Sequence, residues 1–189
     1  MVSAMVSLYS CAGDDKEKSG GKSSADPETV SSLVASEELI LELTPRLKSF
    51  NDALFTEDCR FIGVNPDPEQ KKEYPEMGVV ETFWNGQSGE SEPVPGKPTI
   101  AKITGPVSEL KLKDIKFALV SGKFIGDGSD IFTTRVSFSG TNDQSSISSV
   151  NEVIWKKSGS SWKINSWRVE SLSALRSSNK FFEEVLDEA

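Results

Sequence analysis

Two cysteines, Cys11 and Cys59, are the side chains of this chain best suited to nucleophilic chemistry or metal binding. The sequence contains no histidine that could activate a thiol, and no cluster of cations flanks Cys59. With two cysteines and no histidine, a zinc site would have to rest on carboxylates. We therefore expect Cys59 to be a small buried apolar side chain, and the thiols predict no catalytic residue, no bound metal and no cofactor.

Carboxylates are the remaining candidates for acid–base chemistry. Asp114 and Glu152 lie in the predicted strand region, Asp52 and Asp58 lie near a predicted helix, and Tyr74 lies in the following loop. A carboxyl group serves as a general base at neutral pH where an apolar interior raises its pKa. We interpret these carboxylates as solvated surface groups. A single carboxyl group that is buried and acts as a general base is the alternative.

The net charge bears on the class of partner. The chain carries 21 Lys and Arg against 29 Asp and Glu, which gives a formal charge of −8. Phosphate recognition needs clustered cations, and the sequence contains no such cluster, so we predict no nucleic-acid partner. The length allows one domain of about 160 residues plus a tail.

The segment from Val107 to Val169 contains four runs in which apolar and polar residues alternate. Ile115, Phe117 and Leu119 have one parity, as expected of a strand with one buried face. Short connections rich in Gly, Ser, Asn and Asp separate the runs and favour hairpins, so neighbouring strands should be antiparallel. The predicted strands are Leu110–Val120, Phe132–Phe138, Ile147–Trp155 and Trp162–Val169.

The last run changes parity within its length. Trp162 and Ile164 share one parity, whereas Trp167 and Val169 have the other. Either both faces of this strand are covered, or a β-bulge at Asn165–Ser166 resets the alternation. Both interpretations indicate a strongly curved sheet packed on another element.

Helical signals precede the sheet. Asp26 is a candidate N-cap ahead of Pro27, a second segment follows Ser36, and Thr44 ahead of Pro45 repeats the capping signal. Apolar residues continue at helical spacing through Phe55, which predicts a broken, amphipathic helical layer. The predicted fold class is therefore α+β, with N-terminal helices packed on a strongly curved, cone-like antiparallel sheet.

The N-terminal segment places a short apolar run before Cys11 and a polar Gly- and Ser-rich stretch after it. This order resembles the end of a bacterial lipoprotein signal peptide, in which Leu8 and Ser10 match the cleavage box. The resemblance implies lipidation at Cys11 and an extracytoplasmic, membrane-anchored protein, or a secreted one. A tail with an incidental cysteine is the alternative. The predicted organisation is a signal remnant (1–11), a flexible linker (12–26), a cone-like domain (27–172) and a C-terminal helix or tail (173–189).

The closing segment "GSSWKINSWRVES" is similar to the last strand of the nuclear transport factor 2-like superfamily, which has a cone-shaped, SnoaL-like fold. Trp162, Lys163 and Ile164 carry the match, and the likeness covers roughly Val30 to Glu170. A narrower likeness, in "GVVETFWNG" and "NKFFEEVLDEA", is to the domain that precedes the repeats of large secreted proteins of the ASPIC/UnbV type. That likeness makes a spacer or assembly domain a further alternative, in which Phe181, Phe182 and Leu186 form an exposed patch.

The superfamily resemblance implies isomerases, dehydratases or noncatalytic binding domains, often homodimers through the sheet. The dehydratases pair Asp with His, and this chain contains no His. An isomerase or dehydratase that uses one buried carboxylate is the enzymatic alternative that the resemblance implies. We therefore predict a noncatalytic ligand-binding or interaction domain whose partner is a small apolar ligand or a protein. Trp84 either closes a pocket or fills the edge of the core, and Arg135 either pairs with Glu152 or Glu170 or binds an acid. The candidate pocket comprises Trp84, Phe132, Arg135, Glu152, Trp155 and Trp167.

Overall fold

The computed structural model of the chain describes residues 27–87, 93–126 and 130–178. Several sequence predictions concern residues outside these ranges. They are the signal remnant at 1–11 with the lipidation of Cys11, the linker at 12–26, the N-cap at Asp26, and the apolar patch of Phe181, Phe182 and Leu186. These stay predictions.

Strands dominate the described residues and form one sheet. The path of hydrogen-bonded neighbours runs β2-β3-β8-β7-β6-β5, while β1 pairs with β8 and β4 pairs with β1. The bounds are β1 (Phe55–Ile62), β2 (Gln70–Tyr74), β3 (Val79–Asn85), β4 (Val94–Pro95), β5 (Asp114–Phe124), β6 (Ile131–Thr141), β7 (Ser145–Ser158) and β8 (Ser161–Ser177).

The antiparallel pairing predicted for the last four strands is confirmed along β5, β6, β7 and β8. The predicted bulge is also present. Trp155 lies opposite Ile164 and Ile154 lies opposite Ser166, so Asn165 is the extra residue of β8. The bulge turns both Trp162 and Trp167 toward the core.

The 17-residue strand β8 organises the sheet. β7 follows one edge of β8, and the other edge is divided between two partners. β1 pairs with its first half in parallel, with Phe61 opposite Trp167, and β3 pairs antiparallel with its second half, with Trp84 opposite Leu172. Residues 173–177 therefore continue β8 instead of starting a helix or tail, since Ala174 is buried beside β3.

One continuous helix, α1 (Pro27–Ser49), replaces the predicted series of helical segments. The break predicted at Thr44–Pro45 was wrong, because the Thr44 hydroxyl donates to the Ile40 carbonyl at 2.7 Å within the helix instead of capping a new one. Arg46 Nη2 donates to the Trp162 carbonyl at 2.6 Å and ties α1 to the start of β8. The side chains that α1 buries are Leu39, Leu43 and Leu47.

The predicted α+β class, with helices packed on a curved sheet, was wrong. The described residues are mainly antiparallel β-sheet, and beyond α1 they contain a five-residue helix, α2 (Ile100–Thr104), and three short 3-10 turns. The apolar residues that seemed to extend the helical layer have other roles: Leu54 closes a 3-10 turn and Phe55 begins β1. Val30, Leu33 and Val34, which lie at helical spacing in the first half of α1, are exposed and do not contribute to the core.

Aromatic side chains fill the interior face of the sheet, and two of them pair their buried indole N–H groups. Trp155 Nε1 donates to Thr134 Oγ1 at 2.9 Å, and Trp167 Nε1 donates to Asn151 Oδ1 at 3.0 Å. Asn151 in turn donates to the Val136 carbonyl at 3.1 Å and to the Ser149 hydroxyl. Buried polar groups are stable only when paired in this way.

Candidate functional site

The residues of the predicted pocket lie on opposite faces of the sheet. Trp84, Phe132, Trp155 and Trp167 are buried in the core. Arg135 and Glu152 alternate with buried neighbours along their strands and face outward. A strand sends successive side chains to opposite faces, so this set cannot line one cavity. Of the two interpretations of Trp84, the structure supports the packing role.

Arg135 and Glu152 belong to a polar recess on the outer face. Arg135 Nη2 lies 3.1 Å from a carboxylate oxygen of Glu170, while Glu152 is opposite Arg135 on one side and opposite Arg168 on the other. The recess encloses about 400 Å3 and includes Lys123. Ion pairing between strands accounts for this arrangement.

No carboxylate of the described residues lies in the apolar interior. Asp52, Asp58, Asp114 and Glu152 are all exposed, and Glu81 alone is half-buried. A hydrogen bond from the Thr56 hydroxyl lowers the pKa of Asp58, which is the opposite of what a general base requires. The alternative of a buried base at one of these four positions is therefore contradicted.

Tyr74, the remaining candidate of the acid–base set, is half-buried at the end of β2. Its hydroxyl donates to Glu81 at 3.4 Å, and the ammonium of Lys72 lies 4.8 Å from its ring centroid. Tyr74 therefore supports the pairing of β2 with β3. Its hydroxyl contacts Glu81 and its ring contacts Lys72.

Cys59 is buried on β1, as predicted. Its thiol donates to the Arg60 carbonyl at 3.8 Å, and burial raises the pKa of the thiol to about 11. A thiol with so high a pKa is almost entirely neutral near pH 7 and is a poor nucleophile.

We expect Cys59 to resist alkylation in the native protein. Iodoacetamide at pH about 8 should leave Cys59 unmodified in buffer and modify it fully in denaturant, because access and thiolate formation both require unfolding. Mass spectrometry of the Cys59 peptide measures this, with the variant Cys11→Ser removing the second thiol. Rapid native labelling of Cys59 would contradict its burial.

A cleft at the C-terminal end of α1 combines an apolar lining with an unusual backbone conformation. Helix α1 ends at Ser49, and the next residue, Phe50, has a φ of 24°. The Phe50 N–H donates to the Leu47 carbonyl at 3.1 Å. Phe50 is the one non-glycine residue with positive φ among the described residues, and such strain in a bulky residue often marks a functional position.

The aromatic rings around Phe50 hold it in place. Its ring stacks on Phe117 with centroids 4.6 Å apart and an interplanar angle of 16°. The same ring meets Phe55 edge-on at 5.6 Å and Trp167 edge-on at 5.7 Å. Offset stacked and edge-on pairs of this kind are favourable, so three strand residues fix the end of the helix.

The cleft encloses about 470 Å3, within the range of small-molecule sites. The Phe50–Phe117 stack forms part of its lining, and α2 contributes Ile100 next to its N-cap Thr99, whose hydroxyl accepts from Lys102 N at 3.2 Å. Strand β5 provides the other wall. The lining residues are Lys48, Phe50, Ile100, Ile115, Lys116 and Phe117.

The sequence prediction did not include this cleft, because Phe50 was assigned to a helix that continued through Phe55. One local signal opposes that continuation. Asn51 caps the following 3-10 turn by accepting from Ala53 N at 3.0 Å, and Asn followed by Asp is a common turn-forming pair. That signal ends α1 before Phe55, but the position of Phe117 beside Phe50 is a tertiary contact.

No helix of the described residues is long and apolar enough to cross a membrane. Comparisons of the chain with protein-family models, with curated proteins and with solved structures gave no match. The likenesses to the nuclear transport factor 2-like superfamily and to the ASPIC/UnbV type thus stay predictions.

Proposed function

We propose that this chain is a noncatalytic binding domain that takes a small apolar ligand in the cleft at the end of α1. The observation that carries the proposal is the half-buried ring of Phe50, held at positive φ and stacked on Phe117 at the rim of that cleft. A residue in a strained backbone conformation persists only where contacts with its neighbours hold it there. Such residues are frequent at ligand sites.

The filled interior supports this location. Phe132, Trp155 and Trp167 have no exposed surface, so the core around these three side chains is packed. The cleft, by contrast, opens to solvent beside Ile115, which is 40% exposed on β5. Covering such apolar surface with an apolar ligand is favourable by about 25 cal/mol per Å2.

The side chains that line the cleft support the noncatalytic part of the proposal. The cleft lining contains aromatic, aliphatic and lysine side chains and no carboxylate, hydroxyl or thiol. Acid–base and nucleophilic catalysis commonly use such a group, and a lysine becomes a nucleophile where an apolar pocket desolvates it, whereas Lys48 and Lys116 are exposed. A domain with this lining is suited to hold a ligand without transforming it.

Replacing Phe50 by Ala is expected to weaken binding of 1-octanol at least ten-fold, because the substitution removes one wall of the cleft. Isothermal titration calorimetry measures the Kd. The matched control is Phe124→Ala, which removes another half-buried ring, one that contacts Phe132 and Trp162 at the far end of β5.

The control variant should bind 1-octanol as tightly as the unmodified chain, since Phe124 does not line the cleft. Circular dichroism should show both variants folded. Absence of saturable binding to the unmodified chain, or equal weakening by the two substitutions, would show that the cleft is not the binding site.

A further inference from the structure

We infer that the polar recess on the outer face of the sheet is a second binding site, and that its ligand is a small zwitterion, namely a free α-amino acid. The recess is separate from the cleft, because its charged side chains lie on the face of the sheet opposite the buried ring of Phe117. It encloses about 400 Å3, and the lining side chains on the outer face are Ser121, Lys123, Thr133, Arg135, Glu152 and Glu170.

Two β-bulges flank this recess. Val120 is the extra residue of β5 and directly precedes Ser121 in the lining. Glu170 is the extra residue of β8, because its neighbours Val169 and Ser171 pair with successive residues of β7. Bulges bend a strand and re-aim a side chain, and they are over-represented beside functional sites. The two bulges therefore point to a built site independently of the charges in the lining.

The bulge at Glu170 determines which charges of the recess are paired. Glu152 lies directly opposite Arg135, yet Arg135 Nη2 pairs with the Glu170 carboxylate at 3.1 Å. Neither Glu152 nor Lys123 forms an ion pair within the described part of the chain. Arg168, the other cross-strand neighbour of Glu152, does not line the recess. The recess thus holds one carboxylate and one ammonium group that are not in ion pairs.

The spacing of these two groups suits a short bridging ligand. Lys123 lies opposite Thr133 on β6, and Arg135, two residues further along β6, lies opposite Glu152 on β7. A strand separation of about 4.8 Å and a rise of about 3.4 Å per residue place the Cα atoms of Lys123 and Glu152 roughly 12 Å apart. Both side chains lie on the outer face, so a molecule with an ammonium at one end and a carboxylate at the other can join them.

The charge balance of the lining favours a zwitterion over a simple ion. Two cations and two carboxylates line the recess, and Arg135 and Glu170 neutralise each other. A carboxylate ligand would leave Glu152 unpaired, and an amine ligand would leave Lys123 unpaired. An α-amino acid pairs both groups through charge-assisted hydrogen bonds.

The test titrates the full-length, 15N-labelled protein at neutral pH with glycine, acetate and methylammonium. NMR follows the backbone amide signals of Lys123, Thr133 and Glu152. Glycine carries both charges, whereas each of the other probes carries one. Glycine should bind with a Kd on the order of 10 mM, and about five-fold more tightly than either other probe, as expected of one additional exposed ion pair.

Acetate or methylammonium binding as tightly as glycine would overturn the zwitterion class. Absence of saturable glycine binding would overturn the site itself. Both outcomes leave the proposed function intact, because 1-octanol binding in the cleft involves none of the recess residues.

Two variants assign the contacts. Glu152→Gln should lower the affinity for glycine about five-fold, to that for acetate, and Lys123→Gln should lower it to that for methylammonium. Lys156→Gln is the matched control, since Lys156 is exposed on the outer face of β7 and lies outside the recess, so it should bind glycine as the unmodified chain does. Full glycine affinity in either recess variant would overturn the assignment. Thermal unfolding should show all three variants folded, because the replaced side chains are exposed.

Discussion

Replacing Trp167 by Ala is expected to lower the free energy of unfolding by about 4 kcal/mol, which is a large share of the stability of a typical domain. Trp167 is fully buried, and its ring meets Phe50 at 5.7 Å and Phe117 at 6.0 Å. The substitution leaves a cavity beneath the Phe50–Phe117 stack, so it should also weaken 1-octanol binding. Urea unfolding followed by circular dichroism measures the change in stability.

A matched pair of substitutions separates the hydrogen bond of Trp167 from its packing. Trp167→Phe deprives Asn151 Oδ1 of the indole donor at 3.0 Å, whereas Trp84→Phe removes an indole N–H with no acceptor among the described residues. An orphaned buried acceptor costs about 1–3 kcal/mol, and removing an unpaired donor relieves a cost. We therefore expect Trp167→Phe to be more destabilising by about 2 kcal/mol. Equal losses of unfolding free energy in the two variants would contradict a stabilising hydrogen bond between Trp167 and Asn151.

The second large effect is expected at Asn151. Replacing Asn151 by Ala should lower the free energy of unfolding by about 3 kcal/mol, because the indole of Trp167 and the Val136 carbonyl each lose a buried partner. Asn151 is fully buried on β7, so no solvent can replace it without rearrangement. Urea unfolding measures the change, and Ser148→Ala, an exposed position on the same strand, is the control.

The variant Asn151→Asp adds a pH dependence with a definite sign. Burial should raise the pKa of the new carboxyl group in the folded state above its unfolded value of about 3.9. Its neutral form is tolerated below the unfolded pKa, and stability is lost as pH rises through the folded pKa. The deficit relative to the unmodified chain should therefore be larger near pH 7 than near pH 4. A deficit independent of pH would place this side chain in contact with water.

The last four strands were predictable from local patterns. β6, β7 and β8 alternate more buried with less buried residues along much of their length, and short connections separate the four strands. The bulge at Asn165 was visible as a parity change between Ile164 and Trp167. Such features depend on neighbours along the chain, so the sequence alone was sufficient to predict them.

Strands β1 and β2, which precede α2, were not predictable in the same way. β1 has no regular alternation, and it is held in the sheet by parallel pairing with β8, a partner far along the chain. β2 is exposed and rich in charge, and its place depends on pairing with β3. Because tertiary pairing determines these two strands, propensity misassigned Phe55 to a helix and predicted no strand at β2.

The binding site was predicted less well than the sheet. The pocket set combined Arg135 and Glu152 with Trp155, although the parity of their strands sends these side chains to opposite faces. The cleft at the end of α1 depends on the positive φ of Phe50 and on its contact with Phe117, which no spacing rule encodes. Site prediction failed where the contact is long-range.

The most direct test of the binding proposal is to locate a bound ligand by NMR. Isotope-filtered nuclear Overhauser experiments on the full-length chain with 1-octanol should give contacts from the alkyl chain to the rings of Phe50 and Phe117 and to the methyl groups of Ile100 and Ile115. These four residues line the cleft. Contacts confined to other apolar surface, such as exposed Val30 and Leu33 of α1, would contradict the proposed site.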